Sequence, residues 1–333
     1  MKRIVIHIGY PKTATTTLQE AVFVKLHQKK KINYLGKTNF IRYSKGKQFI
    51  LSNSLINSVV FDIPFQERVN ISETKLNIIS NEDLCLIPYF KEIQTKKKVV
   101  DPFLYPRKLK TYFENFADEI IIFVTLRNQT ELIYSSYVER YHLFKDDEKR
   151  NSFNKFLLKE IDNLADIYRV FRFSDILTEY SNIFGRKNIH ILLYEDLKYD
   201  QHFFCKELSR IIDVQSSILE NLLAMNNLRN KRKTKEGYYA EIVDARKITN
   251  VLKKLPNNRV IDVLLSTYKN TWDNEISFFK ILSKLLYKRN YVFIPKFTEE
   301  HKKIIVNKFR ESNIRLSEDF GVSIDKLKKY QYI

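Results

Sequence analysis

Lys12, Thr13, Ala14, Thr15, Thr16 and Thr17 stand close behind Gly9 and Pro11 in the stretch IVIHIGYPKTATTTL. A cation and a cluster of hydroxyls at the start of a helix are donors for an anion, because the first backbone N–H groups there lack intrahelical partners and sit at the positive end of the dipole. Helix capping accounts for one threonine but not for three in a row beside a lysine. Arg127 makes a second set with Ser135, eight residues on. A guanidinium fixed at a strand end and a hydroxyl one to two turns into the next helix can hold a phosphate between them. Three groups are candidates for moving a proton, namely Glu82 first, then His142 and His7.

These residues need elements to place them. Ile4, Val5, Ile6 and Ile8 form a β-branched run bounded by Gly9 and Pro11, which predicts a buried parallel strand ending in a tight turn. Leu18, Val22 and Leu26, at four-residue spacing, mark the face of the helix that follows. Further strands are expected over residues 76–80, ending at Asn81-Glu82-Asp83, over 120–126, ending at Arg127, and over 188–194. Helices are expected over 108–116, from a Thr130 cap to about His142, over 153–184, around Phe203, Leu208 and Ile211, and from Thr298 to Phe320, ahead of Gly321. Asn33 to Lys37 reads as a loop, Glu195 and Asp196 as helix caps, and residues 237–290 as amphipathic helices rather than more sheet. Strands alternating with helices predict a parallel sheet with right-handed crossovers and a ligand site at the carboxyl ends of its strands. Glu82 lies at such an end, beside the first loop.

The loop fails the nucleotide-triphosphatase pattern G-x-x-x-x-G-K-[ST]. Counting from Gly9, the second glycine and the lysine should be residues 14 and 15, which are Ala14 and Thr15. With its lysine three residues earlier, PKTATT resembles the PKTGTT phosphosulfate-binding loop of sulfotransferases that use 3′-phosphoadenosine 5′-phosphosulfate (PAPS), with Ala14 where the family usually has glycine. LRNQTELIYSSY resembles the same family's 3′-phosphate motif, with Gln129 in place of proline. ILLYEDL resembles the strand whose tyrosine, here Tyr194, lies near the adenine, and NNLRNKRK stands where the family has a basic loop, so that Arg232 or Lys233 would reach the 3′-phosphate. FRESNIRLSEDFGVSIDKL resembles the C-terminal helix of bacterial sulfotransferases.

The resemblance implies a three-layer α/β fold of the P-loop NTPase-like, sulfotransferase type, with a central parallel sheet flanked by helices and with helical insertions. It implies one sulfotransferase domain over residues 1–333, in which a helical insertion at 237–295 shapes the acceptor site. PAPS would be the donor and adenosine 3′,5′-bisphosphate the product, held by Pro11, Lys12, Thr13, Ala14, Thr15, Thr16, Thr17, Arg127, Ser135 and Tyr194, with no metal required. The sulfuryl group would pass to a hydroxyl or amine of a carbohydrate, a glycan precursor or another small molecule. Lys12 would stabilise the developing charge and Glu82 would take the acceptor's proton. His7, inside a strand that should be buried, reads rather as a satisfied core histidine.

Charge is the strongest feature of the composition: 58 Lys and Arg against 39 Asp and Glu give +19. That favours an anionic partner, although lysine-rich solvated faces account for much of it. Cys85 and Cys205 are the only cysteines, too few for a disulfide framework or a zinc spacing. No apolar run reaches the roughly 18 residues of a membrane span, and the first strand begins directly after Met1-Lys2-Arg3, so the expectation is a cytoplasmic protein. Two other classes stay open, a P-loop kinase or NTPase and a basic nucleic-acid-binding module. Because the aromatics, 14% of the chain, mostly fall at core spacing, a nucleic-acid partner is not expected. Nothing in the sequence speaks to oligomeric state.

Overall fold

The computed structural model describes residues 2–36, 55, 57–63, 71–85, 98–144, 148, 151–157, 166–225, 234–235, 238–240, 291–293 and 297–333. Five strands, β1 (Arg3–His7), β2 (Asn33–Tyr34), β3 (Asn77–Ser80), β4 (Glu119–Leu126) and β5 (Ile189–Leu193), form one sheet in the order β2-β3-β1-β4-β5. Every pairing is parallel, with Ile4 opposite both Asn77 and Ile120, and Phe123 opposite both His7 and His190. The cause is compositional: β1, β3 and β4 are near-continuous β-branched runs, buried on both faces, as a sheet covered by crossover helices requires.

Val5, Ile78, Ile121, Phe123 and Leu192 meet Leu18, Val22, Leu26, Phe204 and Leu208 in one layer of core. Elsewhere the sheet is covered by the helix Phe173–Phe184, which packs on β4 and β5 and against the helices Tyr105–Phe113 and Glu299–Glu318. The result is the expected three-layer α/β architecture. From β1 the chain reaches β3 on one side and β4 on the other, so the direction of winding reverses at β1. The loops leaving β1 and β4 therefore border a crevice at the carboxyl ends of the strands.

The helix after β1 runs through Thr15–Thr17, a π-helical stretch Leu18–Phe23, and Val24–Gln28. All six residues of the π stretch are buried, so the helix has no solvated side there, a wider burial than the Leu18, Val22, Leu26 stripe alone required. The sequence expectation of a loop at Asn33 to Lys37 is corrected by β2. Two residues are too few to show a period, and the strand is set by its neighbour: Asn33 N–H donates to the Leu76 carbonyl at 2.9 Å and Leu35 N–H to that of Ile78 at 2.8 Å. Thr130 lies inside the helix Gln129–Phe144; Asn128 provides the cap, its Oδ1 accepting from the Glu131 N–H at 2.9 Å.

The chain divides into two compact units, the second comprising residues 40–42 and 230–296. In this unit β6 (Thr234–Lys235), β7 (Tyr238–Ala240) and β8 (Tyr291–Phe293) form an antiparallel sheet in that order. Both ends of the segment expected to be helical are thus strands, as their tyrosine, valine and phenylalanine content favours. The helices expected between them fall at 241–290, outside the described residues, as do Arg232 and Lys233. No helix among the described residues is long and apolar enough to cross a membrane.

Candidate functional site

Gly9, two residues past β1, has room for nothing larger: a Cβ there would lie 2.7 Å from His7 Nε2 and 2.8 Å from Thr15 Oγ1. The loop beyond it turns on two left-handed residues, Lys12 at φ 68° and Ala14 at φ 63°. Alternation of this kind forms concavities that point backbone N–H groups at an anion. The hydroxyls of Thr13 and Thr15 both donate to the Tyr10 carbonyl, at 2.6 and 3.2 Å. They are buried and shape the loop from within, while Pro11, Lys12, Ala14 and Thr16 remain partly exposed. A side chain at Ala14 costs about 1–2 kcal/mol in the left-handed region, partly offset by the greater freedom glycine has in the unfolded chain. Ala14→Gly is therefore expected to raise the free energy of unfolding by about 0.5–1 kcal/mol, read as a higher urea midpoint at unchanged slope. A lower midpoint would mean that the methyl's packing outweighs the backbone strain.

Arg127 follows β4 and joins that strand to the loop. Its Nη1 donates to the Lys12 carbonyl at 3.0 Å, while Nε and Nη2 hold Glu131 Oε2 at 3.1 and 2.5 Å. The guanidinium carbon sits 4.7 Å from the centre of the Tyr194 ring, at the end of β5. Lys12 Nζ in turn contacts Glu139 Oε1 at 2.5 Å. Glu131, Ser135 and Glu139 are four residues apart on the helix Gln129–Phe144 and so share a face, which puts Ser135 between the two carboxylates. Lys12, Arg127, Ser135 and Tyr194, drawn from three strand ends and one helix, thus border one site.

Residues 2–255 match the family described as sulfotransferase domain. The chain belongs to this family. Its chemistry is accordingly transfer of a sulfuryl group. Among solved structures, a sulfotransferase from Alicyclobacillus acidocaldarius is similar at 12% identity and a TM-score of 0.48, over 97% of this chain and 98% of that one. No curated protein matches the chain.

Beneath the loop this sulfotransferase carries a layer of buried polar groups. His7 Nδ1 lies 2.8 Å from the Ser80 hydroxyl and Nε2 3.2 Å from that of Thr125, and the ring stacks on Phe123 at 4.4 Å. Gln19, from the π-helical stretch, donates to the Ser80 carbonyl at 3.2 Å and to Glu82 Oε2 at 3.4 Å. Glu82 opens the short helix after β3 and is half-buried, so the topology does bring it beside the loop's helix. His142 lies on the helix Gln129–Phe144, with its side chain outside the described residues. Among the described residues no three His, Cys, Asp or Glu side chains converge as metal ligands.

Burial lowers the His7 pKa from 6.5 to about 3, against the raising effect of the Glu82 charge. The unfolded chain therefore takes up this proton first. The contribution to stability is fully present above pH 6.5 and is lost as pH falls towards 3. At about 1.4 kcal/mol per pH unit, the parent should lose about 3 kcal/mol more between pH 7 and pH 4 than His7→Gln does. Urea unfolding at the two pH values measures this. Equal losses would show that His7 is not held neutral.

Sequence reasoning missed five members of the site's surroundings. Glu131 and Glu139 are visible afterwards as the four-residue spacing around Ser135. Gln19 gives no signal beyond its place after the threonines. Glu195, expected to be a helix cap, is buried, and burial pushes its carboxyl above the usual range; Asp196 beside it is buried too. Both bind partners far along the chain, and Glu195 accepts from its own backbone N–H at the helix start as well.

Proposed function

We propose that this sulfotransferase takes its sulfuryl group from PAPS and passes it to a hydroxyl or amine, with a carbohydrate or glycan precursor as acceptor. The observation that carries the donor assignment is the position of Arg127, which touches the main chain of the Lys12 loop while lying over the Tyr194 ring. A nucleotide lying across those three strand ends would meet the loop amides, a guanidinium and an aromatic face within one site.

In this reading the amides of residues 13–17 and the Lys12 ammonium take the phosphosulfate, Arg127 and Ser135 take the 3′-phosphate, and Tyr194 flanks the adenine. Arg232 and Lys233 are assigned to the same phosphate by resemblance alone. Bound PAPS supplies a sulfuryl group that leaves with its bond to the bridging oxygen broken, releasing adenosine 3′,5′-bisphosphate. Lys12 donates towards that oxygen as charge develops on it, and the fixed amides need no rearrangement to do the same. In-line transfer through a loose transition state asks the protein chiefly for positioning and charge stabilisation. Glu82, oriented by the Gln19 amide, accepts the acceptor's proton. His142 is the alternative. His7, engaged at both ring nitrogens, supports Ser80 and Thr125 instead.

The acceptor assignment is supported by the family's chemistry and the chain's net charge of +19. Calorimetry with adenosine 3′,5′-bisphosphate and with ATP, followed by transfer of labelled sulfate from PAPS to a panel of sugars and amines, tests the whole reading. Binding of the bisphosphate in preference to ATP, with label in a sugar, is expected. Preference for ATP would favour a kinase or NTPase, and label confined to non-sugar acceptors would replace the carbohydrate assignment.

A further inference from the structure

The two residues that follow Arg127 and the two that follow Tyr194 are tied to one distant segment. Glu195 Oε1 accepts from the Asn128 backbone N–H at 3.0 Å, and Oε2 accepts from the Tyr332 hydroxyl at 3.0 Å. Asn128 Nδ2 donates to the Tyr330 carbonyl at 3.3 Å. Gln129 and Asn313 exchange side-chain hydrogen bonds at 2.8 and 3.0 Å, and Asn313 also donates to the Tyr332 carbonyl at 2.8 Å. Both Asp196 oxygens accept from Lys326 Nζ at 2.9 Å, and Oδ1 accepts from the Tyr330 hydroxyl at 2.9 Å as well. Glu195, Asp196, Asn128, Gln129, Asn313 and Tyr332 are all buried.

This segment lies beyond residues 2–255, which carry the family match. Its polar groups could have been satisfied anywhere on the surface of the fold. Instead they converge on the two strand ends that carry Arg127 and Tyr194. A buried carboxylate whose two oxygens are held by different elements fixes both, because losing either partner leaves an oxygen unpaired out of water.

We propose that Tyr332 is a positioning residue for the nucleotide site: acting through Glu195, it holds the ends of β4 and β5 in register so that Arg127 lies between the Lys12 loop and the Tyr194 ring. This rests on the PAPS-donor reading for its effect on binding, but not for its effect on the free protein. Removing only the hydroxyl takes from Glu195 its tie to the distant segment and loosens the Asn128 amide, and with it the base of Arg127. The expected loss is a coupling between two sites, of the order of tenfold in affinity.

The test compares Tyr332→Phe with Ser312→Ala. The second variant removes a buried hydroxyl contact, 2.9 Å from Ser174 Oγ, in the helix that carries Asn313, and leaves Glu195 untouched. Calorimetry with adenosine 3′,5′-bisphosphate, well below both melting temperatures, should show binding about tenfold weaker in Tyr332→Phe and unchanged in Ser312→Ala. Hydrogen exchange in the free proteins should be faster around Asn128 and the Lys12 loop in Tyr332→Phe alone. Parent-like affinity and exchange in Tyr332→Phe, or equal changes in both variants, would overturn the proposal and leave Tyr332 a packing residue. A parent that does not bind the bisphosphate would remove the donor reading instead, and the exchange comparison would still decide this one.

Discussion

Arg127→Ala is expected to weaken binding of adenosine 3′,5′-bisphosphate by about 10²- to 10³-fold. A guanidinium facing a phosphate makes charge-assisted bonds worth about 1.5–3 kcal/mol each. Two such bonds give a larger sum than that loss, and the discount is Glu131, which holds Nε and Nη2 and competes for them. The substitution also removes the Nη1 contact to the Lys12 carbonyl, so the loop loses its tie to β4. Arg127→Lys should recover at most about tenfold, because an ammonium cannot span the loop carbonyl and a phosphate together or lie flat over the Tyr194 ring. Stability should change little: the Arg127–Glu131 pair is partly exposed on the glutamate side and worth under about 1 kcal/mol, and the Asn128–Glu195 contacts remain. Calorimetry and a thermal melt on each variant measure both. Parent-like affinity in Arg127→Ala, or full rescue by lysine, would move the 3′-phosphate away from this residue.

The parts of the candidate site that the sequence made legible were local ones. Ile4 to Ile8, Gly9, Lys12 and the threonines stand within a few residues of one another, and a β-branched run ending in Gly and Pro has few ways to fold. Arg127 was readable because a hydrophobic strand stops there. β2 was not, since Asn33 and Tyr34 take their conformation from β3 and show no pattern of their own. The roles of Glu195 and Asp196 were equally hidden. Acidic residues at a helix start are ordinarily caps, and only the approach of Tyr332, 137 residues away, converts Glu195 into a buried junction. The second unit shows the same limit: Tyr238–Ala240 and Tyr291–Phe293 pair across the fifty residues 241–290, and neither is long enough to announce a strand.

Lys12→Ala and Glu139→Gln should act in opposite directions on the same amine. In the proposed reading Lys12 stabilises charge that develops during transfer, and on that reading its loss should lower kcat by about 10²–10³-fold, as removal of a preorganised donor does. The bisphosphate lacks the sulfuryl group, and its affinity for Lys12→Ala should fall only several-fold. Glu139 competes with an incoming anion for Lys12 Nζ, 2.5 Å away. Its side chain is 40% exposed and that of Lys12 31%, so the pair is worth about 0.2–1 kcal/mol, and neutralising it should tighten PAPS binding by at most about fivefold. Steady-state kinetics over PAPS concentration separate the two effects. With Glu139→Gln, a lower KM at unchanged kcat means that the carboxylate is only a competitor for the lysine. A lower KM with kcat reduced a hundredfold or more means something else: once Lys12 turns to the sulfuryl oxygen, the Glu139 carboxylate is left beside the reacting centre. The acceptor's proton would then go to Glu139, and Glu82 would keep a structural role beside Gln19.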